Sequence, residues 1–366
     1  METGVNIRCE TAEGKAGAAK MMKKSRSGPA AAVPVFLLFL AAWGQSACGR
    51  TVPGRTEFVL GTVCSVDLYG KGSRRLYDRI FSRIREIEET MSANTADTEL
   101  DRINRNAGLE PVKAGEDLLQ VLEWAVHYAG TSGGAFDPTV GPLVRLWGIG
   151  TERERVPSGE EIAGALALVN WQDLVIDREE GTAFLKRRGM ALDLGAIAKG
   201  YAADEAARVA VEGGIGRGVL ELGGNILVIG SRSWNRPWRI GIQDPREGRG
   251  AYLGILLVRG RSVVTSGVYE RFFEEGGRRY HHILSTADGC PVRNGLLSVT
   301  IVAARSVDAD ALSTAVFALG YEKGRRLVEA APDTEAIFVF EDLRIRLTGG
   351  IRKDFSLTNR EYRLEP

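Results

Sequence analysis

Asp310 and Thr314 stand four residues apart in Asp310-Ala311-Leu312-Ser313-Thr314, a spacing that puts a carboxylate and a hydroxyl on one face of a helix. Both are hard oxygen donors, the kind Mg²⁺ takes. The run Asp193-Leu194-Gly195-Ala196-Ile197-Ala198-Lys199-Gly200 is a glycine-punctuated turn entering a helix. Its backbone groups are free to face a ligand, and Lys199 adds a point charge suited to phosphate. Gly134-Ala135-Phe136-Asp137-Pro138-Thr139-Val140-Gly141-Pro142 forms a rigid, tightly turned loop that can hold a ring and a carboxylate beside a ligand. Glu221-Leu222-Gly223-Gly224-Asn225 marks a bulge or a close backbone approach, and Thr265-Ser266-Gly267 and Tyr280-His281-His282-Ile283 add hydroxyls and imidazoles. Each run also has a plain structural reading: a helix-start Asp with a Thr bonded to its own backbone, a helix-entry turn with a surface lysine, an Asp shaping a turn, a Gly-Gly turn. Two chemistries drop out. No P-loop pattern places Gly-Lys-Ser/Thr after four spacers, and no Gly-x-Ser-x-Gly elbow supports a serine hydrolase.

The elements that must position these groups read as follows. Thr62 to Tyr69 favours a strand that stops at Gly70. Leu76, Ile80, Ile84, Ile87 and Met91 recur at spacings of three and four, which gives one apolar helix face. Helices are also expected over Leu118–Tyr128, Tyr201–Val211, Ala311–Leu319 (ending at Gly320) and Glu322–Ala330. Strand-like runs crowd the second half, from Val219 to Leu347. Regular βαβ alternation is missing, so the expected class is α+β, with a mixed or antiparallel sheet and flanking helices in one composite unit over 52–366. The chain has 366 residues, 48 basic against 47 acidic side chains, and a net charge of +1. That balance leaves no basic field for a phosphate backbone and argues against nucleic acid as a partner. Three histidines, two of them adjacent, argue against a His-rich zinc or iron site.

Residues 1–48 read as a signal region. Lys23, Lys24 and Arg26 precede an uncharged stretch whose apolar heart is Val33 to Trp43, too short to span a bilayer comfortably. Gln45-Ser46-Ala47-Cys48 is similar to a bacterial lipobox, with Cys48 as the lipidated residue and Gln45 in place of the usual leucine. Met21 or Met22 is the expected true start. This predicts export and a lipid anchor at a membrane. Cys64 and Cys290 then remain, and one pair is no disulfide framework.

Taken together and in order, Leu60-Gly61-Thr62, Met91-Ser92, the Gly134–Pro142 and Asp193–Gly200 runs followed by Tyr201, Leu222–Asn225, Thr265–Gly267, His282-Ile283-Leu284 and Ala309–Thr314 resemble the ApbE family, the FAD:protein FMN transferases. The resemblance implies a T-fold-like unit that uses FAD as substrate, needs Mg²⁺, moves FMN onto a Thr or Ser hydroxyl of a target flavoprotein, and releases AMP. Asp310 and Thr314 would then ligate Mg²⁺ with the carbonyl of Ala196, and Asp310 would be catalytic through that metal. Leu60, Ala135, Phe136, Asp137, Asp193, Lys199 and Ile283 would line the FAD site, and His282 is the candidate for proton handling. The family's acceptors are membrane electron-transfer subunits with a Thr in an Asp-x-x-(Ser/Ala/Gly)-(Ala/Ser)-Thr type motif. Leu60 replaces the family's usual methionine, a volume-conserving change. Asn94 stands where many members carry an aromatic that covers the flavin, so it joins the FAD-site and catalytic candidates and points to FAD diphosphatase activity as an alternative. A flavin-holding lipoprotein without turnover is the reading from another class.

Overall fold

The computed structural model describes residues 52–248 and 250–365. The predicted signal region, with Cys48, Met21 and Met22, lies outside them. Nine strands form the main sheet: β1 (Arg55–Val59), β2 (Thr62–Leu68), β3 (Gly218–Leu222), β4 (Asn225–Ile229), β5 (Ser262–Gly267), β6 (Leu296–Ala303), β7 (Glu335–Phe340), β8 (Arg344–Leu347) and β9 (Arg363–Leu364). They lie side by side in that order. Every neighbour is antiparallel except β9 on β8. The sheet is therefore a meander whose connections carry insertions.

Between β2 and β3 come α1 (Arg74–Met91), α2 (Glu99–Arg105), α3 (Glu116–Thr131), α4 (Gly141–Trp147), α5 (Gly159–Leu166) and α6 (Ala198–Glu212), while α7 (Ser306–Ala330) joins β6 to β7. Three small sheets complete the described fold. One pairs Trp238–Gln243, Tyr252–Val258 and Phe355–Leu357. Another is the hairpin Phe272–Glu275 with Arg278–His281. The α+β expectation holds, with helices concentrated in the first half.

Both faces of the main sheet are covered. Val299, Ile301, Ala303, Phe338 and Phe340 face a core shared with α1, α6 and α7. Val302, Ile337 and Val339, one residue out of phase, face a second core built with Trp238, Ile240 and Leu256 of the small sheet. Period-two alternation with both faces buried explains why β6 and β7 read as nearly continuous apolar runs. The predicted stripe of α1 is buried, including Ile80, Ile84, Ile87 and Met91. The expected stop at Gly320 is a kink with φ 75° and ψ 177° inside α7, so the two predicted helices follow one another directly. Cys64 is a free, buried thiol that burial pushes up to about 12, so it forms no bridge with Cys290.

The packing of α6 on α7 is the tightest constraint. A Cβ placed on Gly200 would lie 2.4 Å from the Ser306 carbonyl oxygen and 2.7 Å from Asp310 Cβ. Gly200→Ala must therefore part the helices. We expect it to destabilise the fold by about 1–3 kcal/mol, read as a lower urea midpoint, and an unchanged midpoint would contradict this packing.

Candidate active site

Two glycine turns close one end of the sheet. Leu60 and Gly61 link β1 to β2 with φ of 58° and 65°, the left-handed pair of a two-residue hairpin turn. A leucine in that region costs about 1 kcal/mol, a strain that tends to mark functional positions. Gly223 and Gly224 link β3 to β4, also with positive φ. Gly223 N–H donates to the Val63 carbonyl at 3.1 Å, which sets this turn against the Leu60 turn. Gly61 N–H donates to Glu88 Oε1 at 3.2 Å, tying the same corner to α1. Asn94 follows α1, is exposed, and its N–H donates to Ser92 Oγ at 3.3 Å.

The first turns of α6 and α7 cover the sheet beside this end: α7 starts at Ser306, its hydroxyl 2.9 Å from Ser262 Oγ, and runs toward Ser266. Asp310 is 4% exposed. Its Oδ2 accepts the Gly200 N–H at 2.8 Å, and its Oδ1 lies 3.6 Å from Lys199 Nζ. Lys199 Nζ also donates to the Gly195 carbonyl at 2.7 Å. Because the Gly200 N–H goes to Asp310, it does not close on the Ala196 carbonyl four residues back. One turn along α7, Thr314 Oγ1 lies 3.4 Å from Ser266 Oγ on β5. Asp204, four residues beyond Gly200, holds the other end of the contact by accepting the N–H groups of Ser306 and Val307 at 2.7 and 2.9 Å. Burial pushes the Asp204 carboxyl up to about 6.

A carboxylate, a hydroxyl and a carbonyl freed from its helix ladder are the donor set of a hard cation. No group of three or more His, Cys, Asp or Glu suited to a metal occurs among the described residues. Asn225 supplies a second sign of a ligand. It is 2% exposed, pairs with Val264 on the helix-covered face of the sheet, and its Nδ2 has no hydrogen-bond partner. A buried donor left unpaired is costly and suits an oxygen-rich ligand such as a phosphate.

The loop 134–142 packs beside this centre. Asp193 N–H donates to the Pro138 carbonyl at 2.8 Å, and Asp193 Oδ1 accepts the Gly195 N–H at 2.8 Å. Asp137 turns inward. Its Oδ1 accepts both the N–H and the hydroxyl of Thr139 at 2.7 Å, and its Oδ2 accepts the Trp171 N–H at 3.0 Å. Its carboxylate shapes the loop, and burial raises its pKa. Phe136 is buried with its ring edge-on to Tyr128, while Ala135 is partly exposed. Thr286 donates to the Gly134 carbonyl at 2.7 Å, drawing the Ile283 segment to the same loop.

The two adjacent histidines differ. His281 is buried, its Nε2 lies 2.8 Å from the Val292 carbonyl, and its Nδ1 accepts the Ile283 N–H. It is a neutral structural ring. His282 Nδ1 lies 3.3 Å from the Arg271 carbonyl. A carbonyl only accepts, so Nδ1 carries the proton and Nε2 keeps its lone pair. Desolvation, with the positive charges of Arg271 and Lys199 nearby, lowers His282 to about 3. The structure thus joins Ala196, Lys199, Asp310, Thr314 and Asp193 with the 134–142 loop, and links Leu60 through the Gly223 turn. Among the described residues, Asn94 makes no polar contact with another candidate. Sequence reading missed Asn225, whose neighbouring glycines drew attention instead, and Asp204, which looks like an ordinary helix-surface acid until α7 is placed against it.

Known proteins resemble this chain along most of its length. The sequence model of the ApbE family matches residues 60–338. The FAD:protein FMN transferase of Treponema pallidum (strain Nichols) is 38% identical over 84% of this chain and 91% of its own length. The protein of that name from Klebsiella pneumoniae (strain 342) is 36% identical over 84% and 95%. The crystal structure of the ApbE protein from Thermotoga maritima superposes with a TM-score of 0.74 at 34% identity, covering 80% of this chain and 95% of that one. The flavin transferase ApbE of Vibrio cholerae gives 0.71 at 30%, covering 79% and 93%. With these matches along most of its length, the chain belongs to the ApbE family.

Proposed function

We propose that this protein transfers FMN from FAD to a Thr or Ser hydroxyl of a target flavoprotein and releases AMP. The relatives named above carry that activity in their names. The observation that carries the reading is the oxygen set of Asp310, Thr314 and the Ala196 carbonyl beside Lys199. Mg²⁺ bound there would neutralise diphosphate charge. Lys199 adds positive charge on the phosphate oxygens, and Leu60, Ala135, Phe136 and Ile283 offer apolar lining for the flavin. The acceptor hydroxyl attacks the FMN phosphorus in line, the P–O bond to the AMP phosphate breaks, and AMP leaves with the bridging oxygen. His282, whose Nε2 keeps its lone pair, would take the hydroxyl proton.

The same reading makes the protein an exported lipoprotein, anchored through Cys48, that serves a membrane electron-transfer subunit. Its support is the sequence pattern of residues 23–48. No helix among the described residues is long and apolar enough to cross a membrane. A second activity, hydrolysis of FAD to FMN and AMP, is favoured by the exposed Asn94, which leaves room for water as the competing nucleophile.

The full chain carrying Cys48→Ser, incubated with FAD, Mg²⁺ and a Thr-bearing acceptor peptide, should give flavinylated peptide together with AMP, the AMP exceeding the label by the amount of FAD hydrolysed. AMP without labelled peptide would reduce the protein to a diphosphatase, and no AMP at all would make it a flavin carrier. Asp310→Ala should lower turnover by about 10²–10³-fold while flavin binding persists, and equal rates for both proteins would remove Asp310 from the reaction. Asn94→Tyr should suppress AMP release in the absence of peptide and spare the transfer, so unchanged hydrolysis would count against the open-site argument. Since the lowered pKa keeps His282 unprotonated above about pH 3, its base form is lost only below that. Transfer should accordingly show no acid limb centred near 6.5, the ordinary histidine value, and such a limb would contradict the lowered pKa of a His282 base.

A further inference from the structure

The sheet end opposite the glycine turns has a different surface. Along β5 and β4, Ser262 stands level with Leu227 and four residues from Ser266. The far end at Ile229 is two residues further, about 20 Å from Ser266 at roughly 3.3 Å per residue. There the loop from Gly230 to Pro237 carries Trp234, which is 98% exposed. Arg232 and Arg236 flank it. Arg217, at the start of β3, donates to the Arg232 carbonyl at 3.4 Å, and Tyr69, at the end of β2, is 46% exposed and packs on Trp238. A groove of about 350 Å³ beside them is lined by Lys71, Ser73, Arg75, Leu76, Arg79 and Gly213.

These cations are not neutralised from within. Among the described residues no carboxylate pairs with Lys71, Arg75, Arg79, Arg217, Arg232 or Arg236. The neighbouring acids Asp78, Glu212 and Asp333 are held by Arg55, Arg208 and Arg261. The described chain also begins at this end. Arg55 pairs with Val66 near the end of β2, and Val52 lies beside Arg74 at the start of α1. Beyond Val52, toward the amino terminus, stand Cys48 and the apolar run Val33 to Trp43.

We propose that this end of the sheet rests on an anionic membrane surface, with Trp234 at headgroup level and the unpaired arginines and lysine on lipid phosphates. A fully exposed tryptophan gains little in water and favours the bilayer interface. Clustered cations gain from anionic headgroups within a Debye length. A docked acceptor protein fits less well, because its hydroxyl would have to reach the glycine-turn end by Thr314 and Ser266, about 20 Å along the sheet. The placement puts the glycine-turn end of the sheet, with Ser266 and Thr314, on the aqueous side.

The test uses the full chain with Cys48→Ser, which removes the lipid and keeps the apolar segment common to all proteins compared. Co-sedimentation at low salt is measured with phosphatidylglycerol/phosphatidylcholine vesicles and with phosphatidylcholine alone. The expected result is at least about tenfold tighter binding to the anionic vesicles, lost in Arg232→Glu/Trp234→Ser/Arg236→Glu and weakened in Lys71→Glu/Arg75→Glu/Arg79→Glu, with vesicle-free FAD turnover unchanged in both. Equal binding of all three proteins, or equal binding to both vesicles, overturns the proposal. So does a variant that still binds vesicles but has a raised KM for the acceptor, which would make the patch a protein-docking surface.

Discussion

The hydrogen bond from the Gly200 N–H to the Asp310 carboxylate is the interaction on which the rest of the site depends. It crosses from the first turn of α6 to the first turns of α7, and it exists only because residue 200 has no side chain to keep the helices apart. One bond does three things. It fixes the carboxylate, it frees the Ala196 carbonyl from the α6 ladder, and it brings Lys199 within 3.6 Å of Asp310. Asp204 fastens the same pair of helices a turn away by holding the first N–H groups of α7. Charge complementarity also favours a carboxylate at a helix N-terminus. The cradle is therefore built from backbone geometry as much as from side chains.

The sheet supplies the opposite wall. Its turns at Leu60-Gly61 and Gly223-Gly224 lie together because β1, β2, β3 and β4 are consecutive antiparallel neighbours, so alternate turns emerge at the same end. β5 brings Ser266 under Thr314, and β4 brings Asn225 with its unpaired amide to the same face. Rigid strands and two buried helices thus surround a small set of oxygen and nitrogen atoms. Positioning of this kind is what phosphoryl transfer asks of a protein, since little covalent help is needed.

Much of this was legible in the sequence. The stripe of α1, the break at Gly320 and the β-rich second half follow from periodicity and glycine punctuation, and the site motifs stand in order along the chain. What could not be read was which atoms meet. Asp137 looks like a ligand residue by its place in a motif, and in the fold its oxygens accept from Thr139 and Trp171, donors that the folded loop brings to it. Asp204 and Asn225 were invisible for the converse reason. Their roles come from partners 102 and more residues away or from a partner that is missing, and no local rule encodes either. The lowered pKa of His282 likewise depends on burial and on Lys199, neither of which spacing reveals.

Under the proposed function, Asp310, Thr314 and the Ala196 carbonyl would hold a hard divalent cation. The most direct test of this role is calorimetric titration of Mg²⁺ into the protein in the presence of FAD, comparing the native chain with Asp310→Asn, which keeps the shape and removes the charge. One site is expected in the native protein, with its loss, or a weakening of about tenfold or more, in the variant. Equal Mg²⁺ affinity in the two proteins would contradict it.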